Sequence, residues 1–145
     1  MLFSLPTDIP LITDAELNVL QDCFEVREGY LYFHRVQHPN RATVYYGVDL
    51  LHRHLKETDF RIVLFDFTER EMVDHAQMRY LVDQVKSSQV FLLVTHLIIV
   101  LDGNPFRRIA ANFFLNVFYR DRSTRVHLCQ TLEEAVELAQ QFVSE

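Results

Sequence analysis

The chain has 145 residues, 49% of them hydrophobic, with a formal net charge of −6 and 14 basic residues that form no dense run. Phosphate tracking needs clustered cations, so neither nucleic acid nor an anionic membrane surface is expected as a partner. With only 3 Gly and 4 Pro the composition is that of a globular chain rather than a disordered one.

A domain of this length buries roughly 68–70% of the surface of its unfolded chain and needs no metal or disulfide. One domain over 1–145 is expected, with 1–12 as an irregular leader. Cys23 and Cys129 form no CxxC pair. The opening MLFSLPTDIP lacks a basic n-region and is interrupted by Pro6 and Asp8, which speaks against a signal peptide. The longest apolar run, Val90 to Leu101, contains Thr95 and His96 and falls short of the ~20 residues of a spanning helix. The expectation is a cytoplasmic protein with reduced thiols.

Thr13 and Glu16 match a capping box with Ile12 and Leu17 as staple, predicting a short helix at 14–20. The runs Cys23 to Arg27 and Tyr30 to Val36 meet at Glu28-Gly29 and read as a β-hairpin. From Arg41 to Glu57 the spacing is helical, with Val44, Val48, Leu51 and Leu55 on one stripe and Arg53, Lys56 and Glu57 opposite. The run at 61–67 is apolar on both faces, as suits a central strand covered from both sides.

The next helix has two fitting starts, Thr68 with Glu71 or Asp74 with Gln77, and runs to about Ser87 on Met78, Leu81, Val82 and Val85. Residues 88–95 fit either a helix extension or the entry to a strand at 97–102. Asn104-Pro105 suits the start of a helix to about Tyr119. Thr124 to Cys129 alternates as a strand. Thr131 with Glu134 is a further capping box, opening a helix on Leu132, Ala135, Val136, Ala139, Phe142 and Val143.

A strand, a helix and a strand over Phe60 to Asp102 make a βαβ unit with parallel strands. The fold class expected is α/β, with a mostly parallel central sheet, an N-terminal β-hairpin and helices packed on it. From about Phe60 to Val143 the order resembles STAS-type domains, the fold of bacterial anti-sigma-factor antagonists and their uncharacterised STAS/SEC14-like relatives. The resemblance is carried by a strand ending in Asp66, Asp74 before the next helix, a strand ending near Asp102, a helix after Asn104-Pro105, and Leu132-Glu-Glu-Ala135. In phospho-regulated members the loop reads Asp-Ser-Ser-Gly and a serine accepts phosphate. Here Asp74-His75-Ala76-Gln77 stands in its place, with no hydroxyl, so that switch does not carry over. What the resemblance implies is a loop-and-helix surface used for protein binding.

Asp66, Thr68, Asp74 and His75 are expected near the carboxyl ends of the parallel strands, where open α/β sheets place ligands. An Asp–His pair can do acid–base work; the simpler reading is that these residues cap helix and loop N–H groups. Arg107 and Arg108, after Asn104, fall in a first helical turn where the macrodipole disfavours cations, which suits either an anion site or pairing with Asp102. His52 and His54 are two apart on a helix, and no histidine spacing suits a metal.

Phe113, Phe114, Phe118 and Tyr119 crowd one helix, and positions 113 and 118 lie about 140° apart around it. They either find room in the core or form a contact, and a homodimer through Phe114 and Phe118 is expected. Two functions are weighed. The first is a non-catalytic regulatory or protein-interaction module. The second is a carrier of an apolar or anionic small ligand. No enzyme, cofactor or metal is expected.

Overall fold

The structure is a computed structural model that describes residues 10–34, 40–66, 75–100 and 124–145. Its strands β1 (Phe24–Val26), β2 (Leu31–His34), β3 (Ile62–Asp66), β4 (His96–Val100) and β5 (Arg125–Cys129) form one five-stranded sheet in sequential order. β1 and β2 pair antiparallel, with Phe24 opposite Phe33, and form the expected hairpin. β2, β3, β4 and β5 are parallel neighbours, with His34 beside Asp66, Ile62 beside His96 and Ile98 beside His127. The α/β fold class and the mostly parallel sheet are therefore observed, with the hairpin on its edge.

Helices α1 (Asp14–Asp22), α2 (Arg41–Thr58), α3 (His75–Ser88) and α4 (Leu132–Ser144) cover this sheet. α2 and α3 connect successive parallel strands and pack on one face, against Leu31, Val63, Leu97 and Ile99, as connections of one hand require. Val48, Leu51 and Leu55 form the buried stripe of α2, and Leu81 and Val85 that of α3. α4 covers the other face. Its Ala135 and Ala139, one turn apart and fully buried, bring its backbone close to Tyr32, Leu64, Ile98 and Val100. Leu64 is 0% exposed, so β3 is central, as its two-sided apolar pattern predicts.

α1 opens with the predicted reciprocal box between Thr13 and Glu16, and Ile12 and Leu17 pack on the same small core as Leu20, Cys23 and Leu50. α2 opens with a second reciprocal box, Asn40 with Thr43, and stops at Asp59 in the left-handed region. At Thr131 the box is only half made. Thr131 Oγ1 accepts from Glu134 N, but the Glu134 carboxylate accepts from Gln130 N instead of the cap's own N–H. Of residues 88–95 only Ser88 continues α3, and none is strand: Gln89 has φ 56° and a 3-10 turn follows at Val90–Leu93.

Candidate functional site

The carboxyl end of β3 is where the sequence reading and the geometry meet. Successive side chains of a strand alternate between faces, and directly opposed residues of parallel neighbours share a face. Tyr32 and His34 of β2 therefore stand on the α4 face with Leu64 and Asp66 of β3. The Tyr32 hydroxyl donates to Asp66 Oδ2 at 3.0 Å, and the His34 ring lies 6.2 Å from the Tyr32 ring. Arg27, just past β1, puts its guanidinium 4.3 Å over the Tyr32 ring, donates to Tyr30 Oη at 3.2 Å, and pairs with Glu25 at 3.1 Å. Such a cation over a desolvated ring is worth ~0.5–2 kcal/mol.

The Tyr32 phenol is pushed up to about 12, first by burial and then by its bond to the Asp66 carboxylate. It is thus a permanent donor at neutral pH and not a base. Asp66 sits half-buried at the strand end with its carboxylate oriented by that donor. The arrangement presents a carboxylate and an imidazole on adjacent strand ends, held from beneath by a phenol and a guanidinium. It is built to hold polar groups in place, and its phenol is a poor proton acceptor.

Of the residues singled out from sequence, Asp66 takes its expected place. His75 opens α3, and its side chain lies outside what the structure describes. Thr68, Asp74, Asn104, Arg107, Arg108, Phe114 and Phe118 lie outside the described residues. Tyr32, His34 and Arg27 were not singled out. Their signal was present as a Tyr-x-Tyr-x-His alternation from Tyr30, but which strand end it would meet depends on long-range pairing.

A second cluster lies at the opposite end of the strands. His96 opens β4 and His127 lies in β5, and His96 Nδ1 is 3.1 Å from His127 Nε2. Phe142 of α4 stacks on the His96 ring at 3.8 Å between centroids and 8° between planes, and lies 4.7 Å from the His127 ring. Burial holds both imidazoles below the usual histidine range. For His96 the Glu145 carboxylate opposes this and Arg125 adds to it; for His127 both His96 and Arg125 add to it.

No group of three or more His, Cys, Asp or Glu side chains among the described residues is placed to hold a metal ion. Cys129 is buried on the α4 face and its thiol is pushed up, first by burial and then by Glu134, the reverse of an activated nucleophile. Cys23 is buried beside α1, where its thiol donates to Val19 O at 3.3 Å. No described helix is long and apolar enough to cross a membrane. In comparisons with known proteins, no family model matches this chain and no curated protein matches it.

Proposed function

We propose that this chain is a non-catalytic interaction module of STAS-like type, which works through a protein partner or a second copy of itself. The observation that carries this reading is the carboxyl end of β3, where Tyr32 orients Asp66 immediately before the segment leading to α3. That is the place the STAS resemblance assigns to a protein-binding surface. The local chemistry supports it, because a phenol locked in its protonated form makes a fixed polar contact and a poor proton relay. Beyond the segment, α3 packs on the other face of the sheet and exposes Arg79, Asp83 and Ser87 on one stripe, a polar helix surface that follows the strand end in the chain. The finer readings, a cytoplasmic setting and a homodimer through Phe114 and Phe118, belong to the same proposal.

Native mass spectrometry of the purified protein tests it by reporting both subunit count and retained small molecules. A dimer, or a protein partner whose binding is lost in Arg79→Glu with Asp83→Lys while far-ultraviolet dichroism is unchanged, is the expected result. A monomer that carries a stoichiometric small molecule and ignores those substitutions overturns the proposal in favour of the ligand carrier.

A further inference from the structure

We propose that the His96–His127 pair, clamped beneath Phe142, is an acid-opened clasp that holds the C-terminal turns of α4 on the sheet. At 3.1 Å, His96 Nδ1 and His127 Nε2 have room for one N–H···N bond and no more. When both rings are neutral, one nitrogen donates and the other accepts. One added proton leaves that bond in place and makes it charge-assisted. A second added proton puts an N–H on both facing nitrogens, and the rings must separate.

Separation cannot be confined to the two rings. Phe142 lies flat on His96 and tilted on His127, so any movement of the pair displaces it. The next residue, Val143, fills the space over Gly29, where an added Cβ would be 2.5 Å from Val143 Cγ1. The last turns of α4 thus bridge from the start of β4 and the middle of β5 to the β1–β2 turn. α4 carries a good N-terminal cap at Thr131 and fully buried alanines in its middle, so its far end is the part free to lift. Lifting it uncovers Tyr30 and Ile62, apolar neighbours on the same face.

The surroundings favour the neutral, closed state near neutral pH. From β5 the charged group acting on the pair is Arg125, and from α4 it is Glu145; on β3 the residue beside His96 is Ile62. Arg125 opposes added protons on both rings, and Glu145 at the helix end favours one on His96. A 3.1 Å separation with facing nitrogens is also an unfavourable start for a metal, whose ligand lone pairs must converge on a third point.

Hydrogen exchange of the amides of residues 139–145, corrected for intrinsic rates, tests the clasp between about pH 7.5 and about pH 5, where histidine titrates and carboxylates remain charged. The open fraction of α4's end is expected to rise by up to about tenfold per pH unit for each proton taken up on opening. His127→Gln and, separately, His96→Gln keep a hydrogen-bonding side chain without the titration and should flatten that dependence. Nitrogen chemical shifts of the two rings in the wild-type protein should report one shared proton at neutral pH. Exchange at α4's end that ignores pH in wild type overturns the clasp. So does a pH response unchanged in both variants, or one abolished by a chelator, which would make the pair a metal site.

Discussion

Leu64 shows how far a single side chain can be read from sequence. A β3 apolar on both faces predicts complete burial, and Leu64 is 0% exposed. Leu64→Ala is expected to cost ~2–5 kcal/mol in urea denaturation, and a loss under ~1 kcal/mol would contradict its central place. The glycines are a sharper test, because sequence gives them one letter and the structure gives them opposite roles. Gly29 has φ 87°, and its missing Cβ would press within 2.5 Å of Val143. Gly29→Ala should destabilise by ~1–3 kcal/mol, and Val143→Ala in that background should return the steric share. Gly47 lies within α2, and a Cβ there would meet Leu20 Cδ1 at an ordinary 3.5 Å. Gly47→Ala should therefore stabilise by ~0.5–1 kcal/mol, since a helix interior favours Ala. Thermal melts of the two variants should move in opposite directions.

Helix starts were legible where side chain and backbone are neighbours in sequence. Thr13 caps α1 as its spacing predicts, and Asn40 makes the same reciprocal exchange with Thr43. The Asn40 box escapes that rule, which asks for Glu or Gln where Thr43 stands, and Gln37-His-Pro-Asn reads first as a strand end. Asn40 does more than cap, since its Nδ2 donates to Glu16 Oε2 at 3.0 Å and ties α2 to α1. That bond, followed by those from Thr13, holds the Glu16 carboxyl below its usual range. Asn40→Ala should cost ~0.5–2 kcal/mol. Asn40→Asp should lose part of that, because it keeps the cap acceptor but opposes a carboxylate to Glu16; denaturant midpoints that rank Asp below Ala would contradict this account. Helix stops were legible to within one residue, at Glu57 and Ser87 against Thr58 and Ser88, but the left-handed residues that follow them were not. α2 ends on Asp59 in the left-handed region with no glycine to announce it, and α3 breaks at Gln89 before the 3-10 turn. Short polar residues tolerate that conformation only when the surrounding packing holds them there.

The pH response of the molecule follows from its two side-chain clusters and has opposite signs at the two ends. His96 and His127 bind protons less readily folded than unfolded, where the ordinary value is 6.5. The unfolded chain therefore takes up more protons as pH falls below that value, and stability present above it is lost on acidification. Tyr32 runs the other way. Its phenol ionises near 10.0 unfolded and about 12 folded, so its contribution is complete below 10.0 and is lost as pH rises through about 12. Urea midpoints should be flat between these limbs and fall on both sides. Tyr32→Phe should remove the alkaline drop, and His127→Gln should soften the acid one. An acid limb that begins only in the carboxylate range would contradict the histidine assignment.

Among the described residues, sequence alone determined the order of strands and helices, the hairpin, the central place of β3 and most of the inner stripes of α2, α3 and α4, though Val143 is exposed; the helix expected at 105–119 lies outside the described residues. These rest on periodicity and capping, which act over a few residues and are written in local spacing. Asp66 was legible for the same reason, as a polar residue closing an apolar strand. Tertiary structure alone decided what Asp66 meets. Tyr32 is its hydrogen-bond partner because β2 pairs with β3 in a register that sets His34 beside Asp66. His96 and His127 likewise have no mutual spacing to notice; the parallel register of β4 and β5 brings them to 3.1 Å, and α4 returns across the sheet to lay Phe142 on them. A strand's pattern says which face each side chain takes, but not which neighbour stands beside it, and polar contacts depend on that neighbour.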